Sequence, residues 1–216
     1  MATSLTRDQI ITLLTAVADE MIANKDELAA LDAELGDGDL GRTIERGFKA
    51  IKESLAGEDG QEPDMGKLLF KEGKAFSNGA PSSFGALFGT ALMKGGMALK
   101  GKEAATYHDL AEATQAALDA LMERGKAKPG DKTMLDAIQP AIQAMRAADA
   151  EAEQGVFWRA AADAARKGAE DTKDMQSQIG RASWQQERST GKMDPGAWAI
   201  AMMLDAAARH TEGKAE

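Results

Sequence analysis

Leu31-Asp32-Ala33-Glu34-Leu35-Gly36-Asp37-Gly38-Asp39-Leu40-Gly41 is the stretch on which the reading of this chain turns. It holds three aspartates and three glycines, and the sequence on either side of it reads as helix. Asp37 and Asp39 must lie close together, with Asp32 one helical turn behind. At roughly 4 Å and an effective dielectric of about 20, two such charges repel by about 4 kcal/mol. Either their pKa values rise or a cation sits among them. Glycines let backbone amides approach a ligand. Hard carboxylate oxygens beside open backbone suit Mg²⁺, which binds through a few carboxylates and substrate phosphates. The stretch is therefore a candidate Mg-phosphate site. The competing reading is an ordinary Asx-rich turn between two helices.

Other ligand motifs fail. Gly36 to Gly41 spells G-x-G-x-x-G, but Leu28 to Leu35 does not read as the strand a dinucleotide fold requires. An EF-hand needs a bidentate Glu where Phe48 stands. Gly96 to Lys102 approaches the phosphate loop, but Glu103 replaces its Ser/Thr and the stretch reads as helix. The protein-kinase set of catalytic loop, D-F-G and strand lysine is missing. The two histidines, His108 and His210, read as surface helix positions away from the aspartates. Neither a zinc site nor a Ser-His-acid triad is assigned.

Composition sets the bounds. The chain has 216 residues, a formal net charge of −9, no Cys and 44% hydrophobic residues. That length fits one domain, taken here as 1–216. The acid excess argues against non-specific nucleic-acid binding, which needs a basic stripe. It does not exclude anions, because a bound metal inverts the local field. With no cysteine, disulfides and thiol catalysis are excluded, which fits the cytosol. Met1 to Val17 carries Arg7 and Asp8 and shows no signal-peptide stretch. The longest apolar run, Ala197 to Leu204, is too short to span a membrane. A soluble, cytoplasmic protein is expected, with no membrane and no nucleic-acid partner.

Helix formers dominate the chain, and alternating strand patterns do not appear. Helices are expected from Leu5 to Ala23 with Thr6 as cap, briefly from Lys25 to Leu31, and from Arg42 to Leu55. Others follow from Asp64 to Phe76, Ala86 to Leu99, Thr106 to Met122, up to Met145, and Glu153 to Asp171. The last starts after Asp194, with Pro195 at its first position. Gly57 to Pro63 reads as a polar loop. About eight substantial helices with short connections make an all-α, antiparallel up-and-down bundle or barrel. Alternate loops then share one end. Those around Asp37, Ser82, Gly125 to Thr133, and Asp194 are all rich in Gly, Pro, Ser or Asp, and their convergence would build a composite site. Ser82 and Ser83 sit at a helix N-terminus that favours anions or, more simply, is capped by serine.

Leu31-Asp32 with Gly36-Asp37-Gly38-Asp39 and Gly41, then Arg46-Gly47-Phe48, resembles the nucleotide-binding L subunit of dihydroxyacetone kinases. So do Leu87-Phe88-Gly89-Thr90, Arg124-Gly125-Lys126-Ala127 with Pro129 to Met134, Gly180-Arg181-Ala182-Ser183, and Asp194-Pro195-Gly196-Ala197. The motifs stand in order over nearly the whole chain. The resemblance implies an eight-helix antiparallel barrel with ADP or ATP at one end, bound through two Mg²⁺. Asp32, Asp37 and Asp39 would hold the metals. Leu40, Gly41 and Thr43 would lie beside the phosphates, with Ser82 and Ser83 in the phosphate-contacting turn. Gly125 and Met134 would line the adenine and ribose. Arg181 would reach the phosphates, and Asp194, Pro195 and Gly196 would close the pocket. No residue of this chain is assigned acid–base catalysis.

The resemblance also implies partners. In the family a histidine of a separate K subunit or domain holds the ketose, and this chain has no counterpart. The expected acceptor is a short ketose on a K-type subunit, and a homodimer is compatible with this reading. The donor stays open between exchangeable ATP and a retained ADP recharged by a phosphotransferase-system protein. Phe84 stands where the family's turn has a small residue, which is compatible with a different ketose such as a tetrulose. The alternative function is a regulatory nucleotide-binding module without turnover.

Overall fold

The computed structural model describes residues 4–57 and 64–212. Most of the loop expected from Gly57 to Pro63 therefore lies outside the described residues. Among them are nine α-helices: α1 Arg7–Ala23, α2 Lys25–Leu35, α3 Leu40–Leu55, α4 Met65–Gly79, α5 Ser83–Ala98, α6 Tyr107–Gly125, α7 Leu135–Ala147, α8 Gln154–Asp171 and α9 Pro195–Glu212.

Eight of them close a ring. α1 packs on α3, each helix from α3 onward packs on the next, and α9 returns to α1. Consecutive neighbours joined by short connections run up and down, so the expected eight-staved barrel is observed. α2 is the extra helix. It runs four residues beyond the expected Leu31 and lies against α3 and α9.

Local sequence accounts for the staves. The Thr6 hydroxyl accepts from the Gln9 amide and the Gln9 side chain accepts from the Thr6 amide, a capping box that starts α1. Ile10, Leu13, Val17 and Met21 then turn inward. Thr106 and Asp109 repeat the device at α6. Asp64 caps α4 by accepting from the Lys67 amide. Each capping box follows a three-residue strand, β1 Ser4–Thr6 and β2 Ala104–Thr106, paired antiparallel with Leu5 opposite Ala105. Three residues are too few to show alternation, so neither strand leaves a signal in the sequence.

Close helix contacts need small residues. A Cβ on Gly73 would come within 2.7 Å of the Gly89 carbonyl, and one on Gly89 equally near that of Gly73, which lets α4 and α5 touch along their backbones. Inside the ring, Phe48, Phe76 and Phe88 form one aromatic cluster, with Phe76 and Phe88 centroids 4.7 Å apart. Phe88 also borders an apolar cavity of about 260 Å³, along with Leu13, Leu121, Met145, Trp158 and Met203. Among the described residues no helix is long and apolar enough to cross a membrane.

Candidate functional site

The aspartate loop is built by the end of α2 and the start of α3. The amide of Gly36 donates to the Asp32 carbonyl and ends α2. The Asp32 carboxylate reaches over the loop, and its Oδ2 accepts from the Leu40 amide at 3.1 Å. That bond holds Asp32 against the first residue of α3. Gly36 has no side chain to obstruct it: a Cβ there would lie 2.8 Å from Asp32 Oδ1. Gly38, at φ +71, takes the left-handed conformation that turns the chain between the two outer aspartates.

Asp32, Asp37 and Asp39 each bring one carboxylate oxygen within 4.8 Å of the other two. Asp32 and Asp39 are half-buried and Asp37 is exposed. At that distance each pair of negative charges repels by roughly 3 kcal/mol at an effective dielectric of about 20. Three hard oxygens from three carboxylates are a donor set for Mg²⁺ or Ca²⁺, with the exposed side left to phosphate or water.

Thr43 lies one turn into α3 and is buried. Its hydroxyl donates to Ser82 Oγ at 3.1 Å, joining the aspartate helix to the second break. Ser82 Oγ also accepts from the Gly85 amide and caps α5. Gly85 is forced, since a Cβ would sit 1.9 Å from the Ala80 carbonyl. Ser83 is exposed at the first position of α5. Phe84 turns away from this helix end and stacks on Phe88, with centroids 5.7 Å apart and planes 12° from parallel. Leu40 and Gly41 are buried, and a Cβ on Gly41 would strike the Lys25 carbonyl at 2.2 Å. Packing of α2 on α3 alone therefore demands glycine there.

The third break starts where α6 ends. Arg124 Nη1 donates to Thr90 Oγ1 of α5, and Gly125 lies beside Leu87. Asp136 then organises the loop to α7: its Oδ1 accepts from the Gly130 amide and its Oδ2 from the Thr133 amide. Met134 is buried with its Cβ against Gly196, which brings the third and fourth breaks together.

Asp194 caps α9. Its Oδ1 accepts from the Ala197 amide at 2.7 Å, and its own amide donates to Thr172 Oγ1. The residue keeps some exposed surface, yet its carboxyl is enclosed. Burial is the main reason its pKa is pushed up to about 7; the Asp136 charge adds to this, while the Ala197 amide and Lys132 oppose it. Pro195 is buried at the first helical position. The fourth break meets the first again: Lys192 Nζ donates to the Glu34 carbonyl, and Gln185 Nε2 to that of Leu35. The four loops thus form a ring at one end of the barrel, as the up-and-down topology implied. The Arg181 side chain lies outside the described residues.

Two residues that sequence reasoning assigned no role are prominent. Lys132 is 1% exposed and donates to the carbonyls of Met175, Ser189 and Lys192. Asp136 is buried beside Asp194. A lysine in a charged loop carries no sequence signal of burial; the only cue was its place within the Pro129 to Met134 motif.

Residues 34–209 match the DAK2 domain. The chain belongs to that family. It is 34% identical over 202 residues to the "PEP-dependent dihydroxyacetone kinase, ADP-binding subunit DhaL" of Escherichia coli, covering 93% of this chain and 95% of that one. It is 38% identical over 189 residues to a D-erythrulose kinase of Mycolicibacterium smegmatis, spanning 87% of this chain but 32% of the kinase. The dihydroxyacetone kinase of C. freundii in complex with AMP-PNP and Mg²⁺ superposes with a TM-score of 0.74 at 27% identity, covering 97% of this chain and 35% of that one. DAK2-domain relatives are thus kinases, either whole subunits of this size or proteins about three times as long. A dihydroxyacetone-kinase-type kinase subunit is what the sequence motifs implied.

Proposed function

We propose that this chain is the nucleotide-binding, phosphoryl-transferring subunit of a dihydroxyacetone-type kinase, and that it acts on a short ketose held by a separate K-type subunit. The observation that carries the proposal is the approach of Asp32, Asp37 and Asp39 to within 4.8 Å, beside the Thr43–Ser82 hydrogen bond. The names of the E. coli and C. freundii relatives, one ADP-binding and one complexed with AMP-PNP and Mg²⁺, support it.

The three carboxylates would hold Mg²⁺, two ions in the fullest version of the reading. Bound Mg²⁺ would neutralise the phosphate charge and the charge that spreads over the transferring phosphoryl group. The chain's own groups position and enclose. The start of α3 and the Ser82–Ser83 end of α5 would flank the phosphates, and Arg181 is the further residue this reading assigns to them. Gly125 and Met134 border the base and ribose, and Asp194, Pro195 and Gly196 close that side. In the reaction the bond from the terminal phosphorus to its bridging oxygen breaks, and one to a ketose hydroxyl oxygen forms. On this reading the proton of that hydroxyl passes to a base on the acceptor subunit.

The acceptor is a three- or four-carbon ketose, since relatives of both kinds match along the same stretch. The fit to a whole subunit named PEP-dependent favours a retained ADP over exchangeable ATP. Calorimetric titration of ADP with and without Mg²⁺ tests the site. Metal-dependent binding is expected, and none would end the proposal. Retention of ADP through gel filtration supports the relayed donor. Turnover of ketose by the isolated chain would refute the separate acceptor subunit.

A further inference from the structure

Resting on the reading of the aspartate loop as the donor site, we infer that Trp184 anchors the protein that carries the phosphoryl acceptor. Trp184 is 82% exposed, the most of any large hydrophobic residue among those described. The others, Phe70, Met97 and Val156, lie on α4, α5 and α8 of the barrel wall. Trp184 alone stands at the site. It borders an open concavity of about 720 Å³, with Leu35, Gly36 and Asp37 of the aspartate loop on one side and Trp184, Gln186 and Arg188 on the other.

Its exposure is not that of a loose loop. Residues 181–189 form 3-10 turns fixed at several points. Gln185 bonds to the Leu35 carbonyl, Ser183 Oγ to the Gly180 carbonyl, and the buried Ser189 Oγ accepts from the Ser177 amide. Between these points Gln186 takes φ 50 and ψ −129, a conformation suited to glycine. A fixed segment with a left-handed kink presents a large aromatic ring to solvent.

The chemistry selects the occupant. Phosphoryl transfer needs the acceptor hydroxyl in line with, and in contact range of, the phosphorus. The concavity that Trp184 borders meets the aspartate loop at Asp37. His108 and His210 lie at the start of α6 and near the end of α9, opposite the ends of those helices that border the site. On the proposed function the acceptor arrives on a K-type protein, and that protein must seat on this rim. Trp and Arg are the residue types that most often anchor interfaces. The matching face offers an apolar seat for the indole and an acidic group for Arg188.

The test uses the full chain and the ketose-binding subunit that gives turnover with it on dihydroxyacetone or erythrulose. Trp184→Ala is expected to raise the KM for that subunit by at least about tenfold, with kcat at saturation within about twofold. Trp184→Tyr is expected to recover most of the loss. The Kd for ADP with Mg²⁺, read by calorimetry, and the melting temperature stay unchanged. An unchanged KM for the subunit overturns the inference. So does an equal rise in the ADP Kd, which would assign the indole to the nucleotide. A dimer that Trp184→Ala converts to monomer would assign it to a second copy of this chain and overturn it too. Failure of the unaltered chain to bind ADP with Mg²⁺ removes the donor site itself, and the inference with it.

Discussion

Lys132 and Ser189 stand 57 residues apart, and the ammonium of the first donates to the carbonyl of the second at 2.5 Å. The same ammonium donates to the carbonyls of Met175 and Lys192, so its three protons meet three acceptors. One side chain thereby roots both ends of the segment that carries Arg181 and Trp184. Burial lowers the Lys132 pKa, and Asp194 opposes that shift.

Lys132→Met removes the charge and leaves three carbonyls without their donor. Losing one side of a buried charged network costs roughly 3–5 kcal/mol. For a chain of this size that lowers the melting temperature by about 6–20 °C. Limited proteolysis should then cut first between residues 175 and 192. A melting temperature within about 2 °C of the parent would show that the ammonium is not what holds the segment.

Asp39→Asn separates binding from stability. Without metal, the three carboxylates repel, so removing one charge should leave the melting temperature equal or higher. With Mg²⁺ present, ADP affinity should fall by at least about tenfold, or about 1.4 kcal/mol. The two effects have opposite sign, which no simple loss of folding can mimic. A variant that binds ADP with Mg²⁺ as tightly as the parent would mean that the cluster is an Asx-rich turn and nothing more.

Asp194 makes stability depend on pH. Its folded pKa is raised from 3.8 to about 7, so between those values the folded chain holds a proton that the unfolded chain has released. The stabilising contribution of the protonated carboxyl is full below about pH 3.8, falls as pH rises toward 7, and is gone above it. Asp194→Asn keeps the cap on α9, because Asn caps as well as Asp. It should raise stability at pH 8 and flatten the pH dependence between 4 and 7. Parallel stability curves for variant and parent over that range would show that the carboxyl does not titrate there.

The sequence made the barrel legible because helix formers fill the chain and its breaks are abrupt. Thr6, Asp64, Ser82 and Asp194 cap the helices they precede, as their residue types suggest. The aspartate triad was legible too, since five residues of chain cannot keep Asp37 and Asp39 far from the end of α2. What stayed hidden depends on long-range contacts. α2 continues to Leu35 because the Asp32 carbonyl still finds the Gly36 amide, which propensity alone does not foretell. Nor does any local pattern show that Lys132 turns inward. Its burial is set by carbonyls 43 to 60 residues away in the chain.

Phe84 tests whether a departure from the family's small-residue turn touches the site. Its ring leaves the exposed end of α5 and stacks on Phe88, so the added bulk is absorbed by the aromatic cluster. Phe84→Ala should therefore act on stability and not on binding. Fully buried Phe→Ala changes cost about 3–5 kcal/mol, and Phe84 is only half-buried, which argues for about 2 kcal/mol and a melting temperature about 4–8 °C lower. The Ser82 hydroxyl and the Gly85 amide it caps stay in place, so the ADP Kd measured with Mg²⁺ below the new melting range should move by less than about threefold. A large loss of ADP affinity with little loss of stability would reverse the assignment. It would mean that the ring helps form the phosphate-side wall of the pocket, and that the turn has been rebuilt around Phe84.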